Sequence, residues 1–347
     1  MIRHSSLVAW GDDSLRESFA SSDFHPEHAE HQAAARRHAH DPPSSPTLLV
    51  LTTLSAGTGD HLDKVARHAA ALGARLTLAY YAGTRPTGLV DPLARLAQRA
   101  RYLRRQHALS VDTLPHELHS RRELLRLTSA ATLTCLLDAN ERPLHARLGP
   151  DLLSLLLRQG RGPLWVVNAA HEAAPGGLCC LAKLLPAESR LLRWARGFAR
   201  GQPVQFVHVI ESDMPLPDAR NAVEMTVFDH VLREWRVRAI GGLEALASPL
   251  RAAGEDTAYL VLSGDVDEQL QRHVRQARPS MVLLGHRPRP WSITAARSRV
   301  RAAAGHGADV LLVPMPRERW WNWLWQRIAP QARLGKTPVT PSFFHGV

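Results

Sequence analysis

The chain carries a long internal repeat. An apolar run Leu48-Leu49-Val50-Leu51, a helical stretch from His61 to Leu72 and a second apolar run from Leu76 to Tyr81 recur 130 positions later. Leu178-Cys179-Cys180-Leu181 copies the first run, Leu191 to Phe198 sits in the copy of the helix, and Phe206 to Ile210 copies the second run. Both runs shift equally, from 48 to 178 and from 76 to 206, so no gap separates the copies to this point. The period exceeds that of solenoid repeats and suits a duplicated domain. At 347 residues the chain exceeds what one core usually organises, since domains run to ~100–150 residues. Two such units fit between Pro46 and Met315.

The local pattern supplies the class of each unit. An aliphatic run without polar alternation reads as a strand buried on both faces, as in a parallel sheet. Leu62, Val65, Ala66, Ala69 and Leu72 recur at helical spacing and Gly73 stops the helix. Leu76 to Tyr81 is the next strand, which completes a right-handed crossover unit. The first unit continues through a basic helix from Pro92 to His107, a strand Ala130 to Leu137, a leucine-rich helix Asp151 to Arg158 and a strand Leu164 to Val167. The polar, Gly/Pro-containing stretch Asn168 to Gly177 reads as the linker. The second unit runs through the strand at Leu178, a helix Leu191 to Phe198, a strand Gln205 to Ile210 and a long helix Ala222 to Ala253, which Gly241-Gly242 weakens. A strand Thr257 to Leu262, a helix Val266 to Ala277, a strand Met281 to Leu284, a helix Ala295 to Gly305 and a strand Val310 to Val313 follow. The expectation is an α/β chain of two tandem doubly wound domains, 46–170 and 178–316, each with a mainly parallel five-stranded sheet. A linker at 171–177 joins them, with a flexible His-rich arm at 1–45 and a Trp-rich amphipathic tail at 317–347.

Composition narrows the class further. No stretch approaches the ~20 apolar residues of a spanning helix, and Met1 to Asp13 meets acids before any apolar core of signal-peptide length. A cytoplasmic chain is expected, with the inner face of the membrane as the one surface where it would be peripheral. The net charge of +11 attracts anionic surfaces without choosing among them. Arginines scattered as Arg99, Arg101, Arg104 and Arg105 read as solvated helix faces, which argues against nucleic acid as the partner. Cys135, Cys179 and Cys180 lie in apolar runs and read as buried reduced thiols, the adjacent pair facing opposite sides of a strand. His25, His28, His31, His38 and His40 lack the cysteines and second shell of a metal site and read as solvated arm residues.

Several segments resemble a known family. Leu262-Ser263-Gly264-Asp265-Val266-Asp267-Glu268-Gln269-Leu270 matches a Gly-Asp turn opening a helix. Arg278-Pro279-Ser280-Met281-Val282-Leu283-Leu284-Gly285-His286 matches a strand running into a glycine loop, and Leu72-Gly73-Ala74-Arg75-Leu76-Thr77-Leu78 matches a helix-to-strand junction. From Thr47 to Pro314 the order of elements resembles the universal stress protein family in its tandem two-domain form. The family's ATP-binding members carry Gly, two residues, Gly, nine residues, then Gly followed by Ser or Thr. Bare glycine loops let backbone N–H groups approach phosphates at a helix N-terminus. Here Gly285 takes the first position, Pro288 the second, Ser298 the third and Arg299 the Ser/Thr position, and proline removes a donor. In the first unit the corresponding strand runs Cys135-Leu136-Leu137-Asp138, with no glycine and a carboxylate toward the phosphate position. The acidic residue that nucleotide-binding relatives place after the first strand is missing, with Ser55 and Leu185 near those positions. Both sites read as degenerate and no cofactor is expected. The resemblance keeps ATP or AMP as the alternative, at a vestigial site of Gly264, Asp265, Gly285 and Arg287 with Arg289 and Arg297 as further phosphate partners. His208, His273, Glu211, Asp213, Asp265 and Asp267 lie near strand ends or on a helix, but none has spaced partners that would define a nucleophile, base and orienting group. His286 reads as a loop histidine of no special role, and the chain is not expected to be an enzyme.

The tail is the second informative feature. Trp320, Trp321, Leu324, Trp325 and Ile328 share one helical face opposite Arg319, Asn322, Gln326 and Arg327. Four of the nine tryptophans lie in this piece. Such a face fits the chain's own surface, a groove on a protein partner or a membrane interface. The leading expectation is a stress-related adaptor or regulatory subunit acting through protein contacts, with a homodimer among its assemblies. Nucleotide binding by the second domain, and membrane anchoring by the tail, are the alternatives.

Overall fold

The computed structural model describes residues 46–54, 58–81, 91–137, 152–168, 176–184, 188–199, 201–211, 222–287 and 290–315, without the side chains of 222–224 and 290–292. The arm, residues 169–175 of the linker region and the tail lie outside these. The first half holds β1 (Thr47–Thr52), α1 (Thr58–Ala71), β2 (Arg75–Tyr80), α2 (Pro92–His107), β3 (Val111–Thr113), α3 (Arg121–Ala130), β4 (Leu133–Leu136), α4 (Leu152–Gln159) and β5 (Leu164–Val166). The second holds β6 (Leu178–Leu181), α5 (Ser189–Ala199), β7 (Val204–Ile210), α6 (Ala222–Ala252), β8 (Thr257–Ser263), α7 (Val266–Ala277), β9 (Met281–His286), α8 (Pro290–Ala304) and β10 (Asp309–Pro314).

All ten strands form one sheet in the order β3-β2-β1-β4-β5-β10-β9-β6-β7-β8. Within each half every pairing is parallel, so each half is a doubly wound α/β unit of five strands. The halves join through β5 and β10, which run antiparallel with Trp165 opposite Leu311. Matched strands of the two halves meet there, so the joint lies on a pseudo-two-fold between the repeats. α6 has 31 residues where α2 has 16, which explains why the 130-residue offset holds only as far as β7.

Three sequence expectations need correction. β3 and α3 were not anticipated, and Ala130 ends α3 instead of opening a strand, with β4 starting at Leu133. β3 is too short to show periodicity. α3 does carry a start signal, because Ser120 caps it by accepting from the Glu123 N–H in a Ser-x-x-Glu pattern. β9 runs through Gly285 to His286, so Gly285 is a strand residue opposite Val313 and not part of a loop. α8 begins at Pro290 and not at Ala295, as suits proline at a first helical position.

The apolar core lies on both faces of the sheet. Leu48, Val50 and Cys180 belong to one layer with α1, α2, α5 and α6, and Leu49, Leu51 and Cys179 to the other with α4, α7 and α8. The cysteine pair therefore does face opposite sides of β6.

The seam between halves combines aromatic and buried polar contacts. The Trp165 ring meets His68 of α1 and Phe198 of α5 edge-on, with centroids 5.0 and 5.2 Å apart. Asp309, wholly buried at the start of β10, receives Lys64 Nζ from α1 at 2.9 Å. It also accepts from Trp165 Nε1 at 3.1 Å and from the Asn168 N–H at 2.9 Å. A charge in that position is tolerable because it is both paired and hydrogen-bonded.

Candidate functional site

In each half the strand order reverses at one point, between β1 and β4 and between β6 and β9. Ligands of open α/β sheets bind beyond the carboxyl ends of the strands at such points. In the first half this crevice is bordered by Thr52, Thr53 and Leu137, all buried, and the Asp138 expected to repel phosphate lies outside the described residues. Leu54 and Leu184, 130 positions apart, both take φ of +56°, a left-handed conformation that branched residues rarely adopt. Leu184 lodges against α6, where a Cβ on Gly242 would come within 3.1 Å of its Cδ2. The glycine that weakened the helix in the sequence makes room for this side chain, and α6 continues through it.

The second crevice gathers charge. The Glu188 carboxylate, buried at the start of α5, accepts from the Lys183 N–H and ties the loop after β6. Lys183 keeps more than a third of its surface in water, yet enough protein surrounds its ammonium that desolvation, then Arg299 and Arg287, draw its pKa below the usual lysine range. Glu211 and Glu188 pull the other way. Arg299 does not stand free, since its Nε donates to Asp267 Oδ1 at 2.5 Å and links α8 to α7. Arg287, Arg299, Glu188 and Glu211 thus each lie within electrostatic reach of Lys183, beyond β6, β7 and β9.

Three of the four residues of the vestigial site have local roles. Gly264 sits at φ +125° in the turn after β8 and donates its N–H to Ile210 O at 3.1 Å. That backbone geometry requires glycine. Asp265 caps α7, its Oδ1 accepting from the Glu268 N–H at 2.9 Å. Gly285 leaves space for Met315, whose Cγ would be 3.1 Å from an added Cβ. Of the four, Arg287 is the one beside Lys183. Ser298 is exposed on α8, while Pro288, Arg289, Asp213, Ser55, Leu185 and the tail residues Trp320, Trp321, Leu324, Trp325 and Ile328 lie outside the described residues.

The histidines singled out in the sequence serve the fold. His208 Nδ1 donates to Ala182 O at 2.9 Å. His286 is no unassigned loop residue: its Nε2 donates to Leu157 O at 2.8 Å across the seam, and burial lowers its pKa. His273 is buried in α7 and its pKa is lowered by desolvation. Among the described residues no group of three His, Cys, Asp or Glu is placed to hold a metal ion. No helix among them is long and apolar enough to cross a membrane. The sequence missed Lys183 and Glu188, because neither carries a spacing signal and the turn after β6 brings them together.

No family model matches the chain, nor does any curated protein. Solved structures do. A universal stress protein from Archaeoglobus fulgidus superposes with a TM-score of 0.53 at 10% identity, covering 78% of this chain and 97% of that one. A putative universal stress protein from Pseudomonas aeruginosa gives 0.52 at 16% identity, over 78% and 94%. A functionally unknown protein from the same species gives 0.54 at 15% identity, over 83% and 98%. Strand order, parallel halves and these superpositions together establish that the chain has the universal stress protein fold, with two doubly wound units in tandem on one polypeptide.

Proposed function

We propose that this chain is a non-catalytic tandem protein of the universal stress fold that acts as an adaptor or regulatory subunit through protein contacts. The observation that supports this reading is the Arg299–Asp267 ion pair. By the family resemblance Arg299 takes the position where ATP-binding members carry Ser or Thr, so a long side chain tied to a carboxylate stands in place of a small hydroxyl. Calorimetry with ATP and with AMP should give no binding at micromolar concentrations. Affinity capture with the full chain, but not with a chain ending before Arg317, should retain a protein. Micromolar ATP affinity, or capture that ignores the tail, would overturn the reading.

Nucleotide binding by the second half is a second reading, favoured by the lowered pKa of Lys183 among Arg287 and Arg299, since perturbed groups in a crevice mark functional sites. On that reading Lys183 and Arg287 would meet the phosphates, and Lys183→Ala would abolish binding that the calorimetry had found.

A further inference from the structure

The two edges of the ten-stranded sheet are treated differently. β3 is three residues long, Asp112 on it is exposed beside Arg75 at 3.9 Å, and Arg104 Nε donates to Val111 O at 2.7 Å. Short length, charge and a capped carbonyl are devices that blunt an edge. β8, at the other end, has none of them. It runs for seven residues, Thr-Ala-Tyr-Leu-Val-Leu-Ser, without charge or proline, and among the described residues it pairs only with β7.

The backbone direction of β8 is fixed by its neighbour. Val204 N–H donates to Asp256 O and Gly264 N–H to Ile210 O, so the even-numbered residues turn their backbone groups toward β7. Thr257, Tyr259, Val261 and Ser263 turn theirs outward. Exposed large apolar residues gather on β8 and on α6, the helix that packs against it. Of five large apolar residues exposed among those described, Val227, Val237 and Ile240 lie on α6 and Tyr259 on β8, leaving Tyr102 elsewhere. α6 packs on β7 and β8 through Ala239, Leu243, Ala247 and Leu250. One flank of that stripe, at Gly242, faces Leu184 and hence the sheet interior. At 3.6 residues per turn Ile240 and Val237 fall on the opposite flank, toward the edge.

We propose that β8 is a homodimer surface, on which β8 of a second copy pairs antiparallel across a two-fold axis at Leu260. This register sets Tyr259 against Val261 of the other copy and Thr257 against Ser263, each a pair whose outward groups bond mutually. An aromatic opposite a β-branched residue is a favourable cross-strand pair, and no like charges meet. The symmetry is self-complementary and closes after two copies. Strands spaced ~4.8 Å apart would carry two α6 helices roughly 10 Å apart beside the axis, near the distance at which helices pack. Stable dimers bury roughly 800 Å² per partner, so Val237 and Ile240 belong to the surface along with the strand.

The test is the mass of the full chain in solution by light scattering after size exclusion. Twice the 38.4 kDa chain mass is expected. Tyr259→Lys with Val261→Lys places lysines opposite each other and should yield monomer. Tyr259→Lys with Val261→Glu places opposite charges in both pairs and should restore the dimer, although both variants disturb the same two sites. If either fails to fold, Tyr259→Pro decides instead, because the backbone N–H it removes points outward and leaves the β7 ladder intact, and it should likewise yield monomer. A monomeric wild type, including one that binds another protein's strand, overturns the proposal. So does a dimer that survives the double lysine or the proline.

Discussion

Replacing Lys64 by Met tests whether the seam depends on a buried charge pair. The side chain of Asp309 is 1% exposed and that of Lys64 22%, so the lysine can reach water and the carboxylate cannot. Breaking a buried pair costs ~3–5 kcal/mol because it strands one charge, and the one-sided exposure places Lys64→Met near 3 kcal/mol. Lys64→Met with Asp309→Asn strands no charge. It forfeits only part of the hydrogen bonding to Trp165 and Asn168, at a cost of about 1–2 kcal/mol. The double variant should therefore be more stable than Lys64→Met alone, a coupling that urea denaturation followed by circular dichroism measures directly. The pH dependence adds an independent readout. Burial holds the Asp309 carboxyl above the usual aspartate range, with Lys64, the Asn168 N–H and Trp165 opposing it. A carboxyl whose folded pKa is raised binds its proton more tightly in the folded state, so stability falls as pH rises through the window between the unfolded and folded values. Removing Lys64 raises the upper limit of that window. The deficit of Lys64→Met should be largest near neutral pH and shrink as pH falls toward ~4, as the raised folded carboxyl becomes protonated in wild type and variant alike. A loss under about 1 kcal/mol, costs that simply add in the double variant, or a deficit that grows on acidification would refute the reasoning.

Two further outcomes follow from buried contacts. Gly285→Ala should lower stability by about 1 kcal/mol through crowding of Met315, and Met315→Ala should relieve part of that loss in the double variant, as read from denaturation midpoints. Cys135, Cys179 and Cys180 are buried and free, and burial raises all three thiols, Cys179 to about 12. A thiol-reactive disulfide reagent at mildly alkaline pH should therefore find none in the native protein and all three after denaturation; rapid native labelling would refute their burial.

Much of the architecture was legible because parallel strands buried on both faces are written as unbroken aliphatic runs. Leu48 to Leu51, Leu178 to Leu181 and Val310 to Val313 announce themselves in this way, and Leu62, Val65, Ala66 and Ala69 show the helical stripe of α1. β3 was lost because Val111 to Thr113 is too short for any period. The site was less legible than the fold. Gly285 matched a phosphate-loop pattern, yet its missing side chain serves Met315, and a pattern of spacings cannot tell those two needs for glycine apart. Lys183 carried no local signal, since its character comes from desolvation first and then from Arg299 and Arg287, all of which only the packed chain supplies.

What the sequence by itself determined is most of each half's local order: the strands and helices other than β3 and α3, that the unit occurs twice, and that Cys179 and Cys180 part to opposite faces. Those properties follow from hydrophobic period and turn residues within a few positions of each other. The tertiary structure alone decided that β5 and β10 pair antiparallel and join ten strands into one sheet, that Asp309 is a buried partner of Lys64, and that β3 is guarded while β8, among the described residues, pairs only with β7. Such contacts join segments far apart in the chain. They arise from the shape and satisfied hydrogen bonds of surfaces that exist only after both halves have folded.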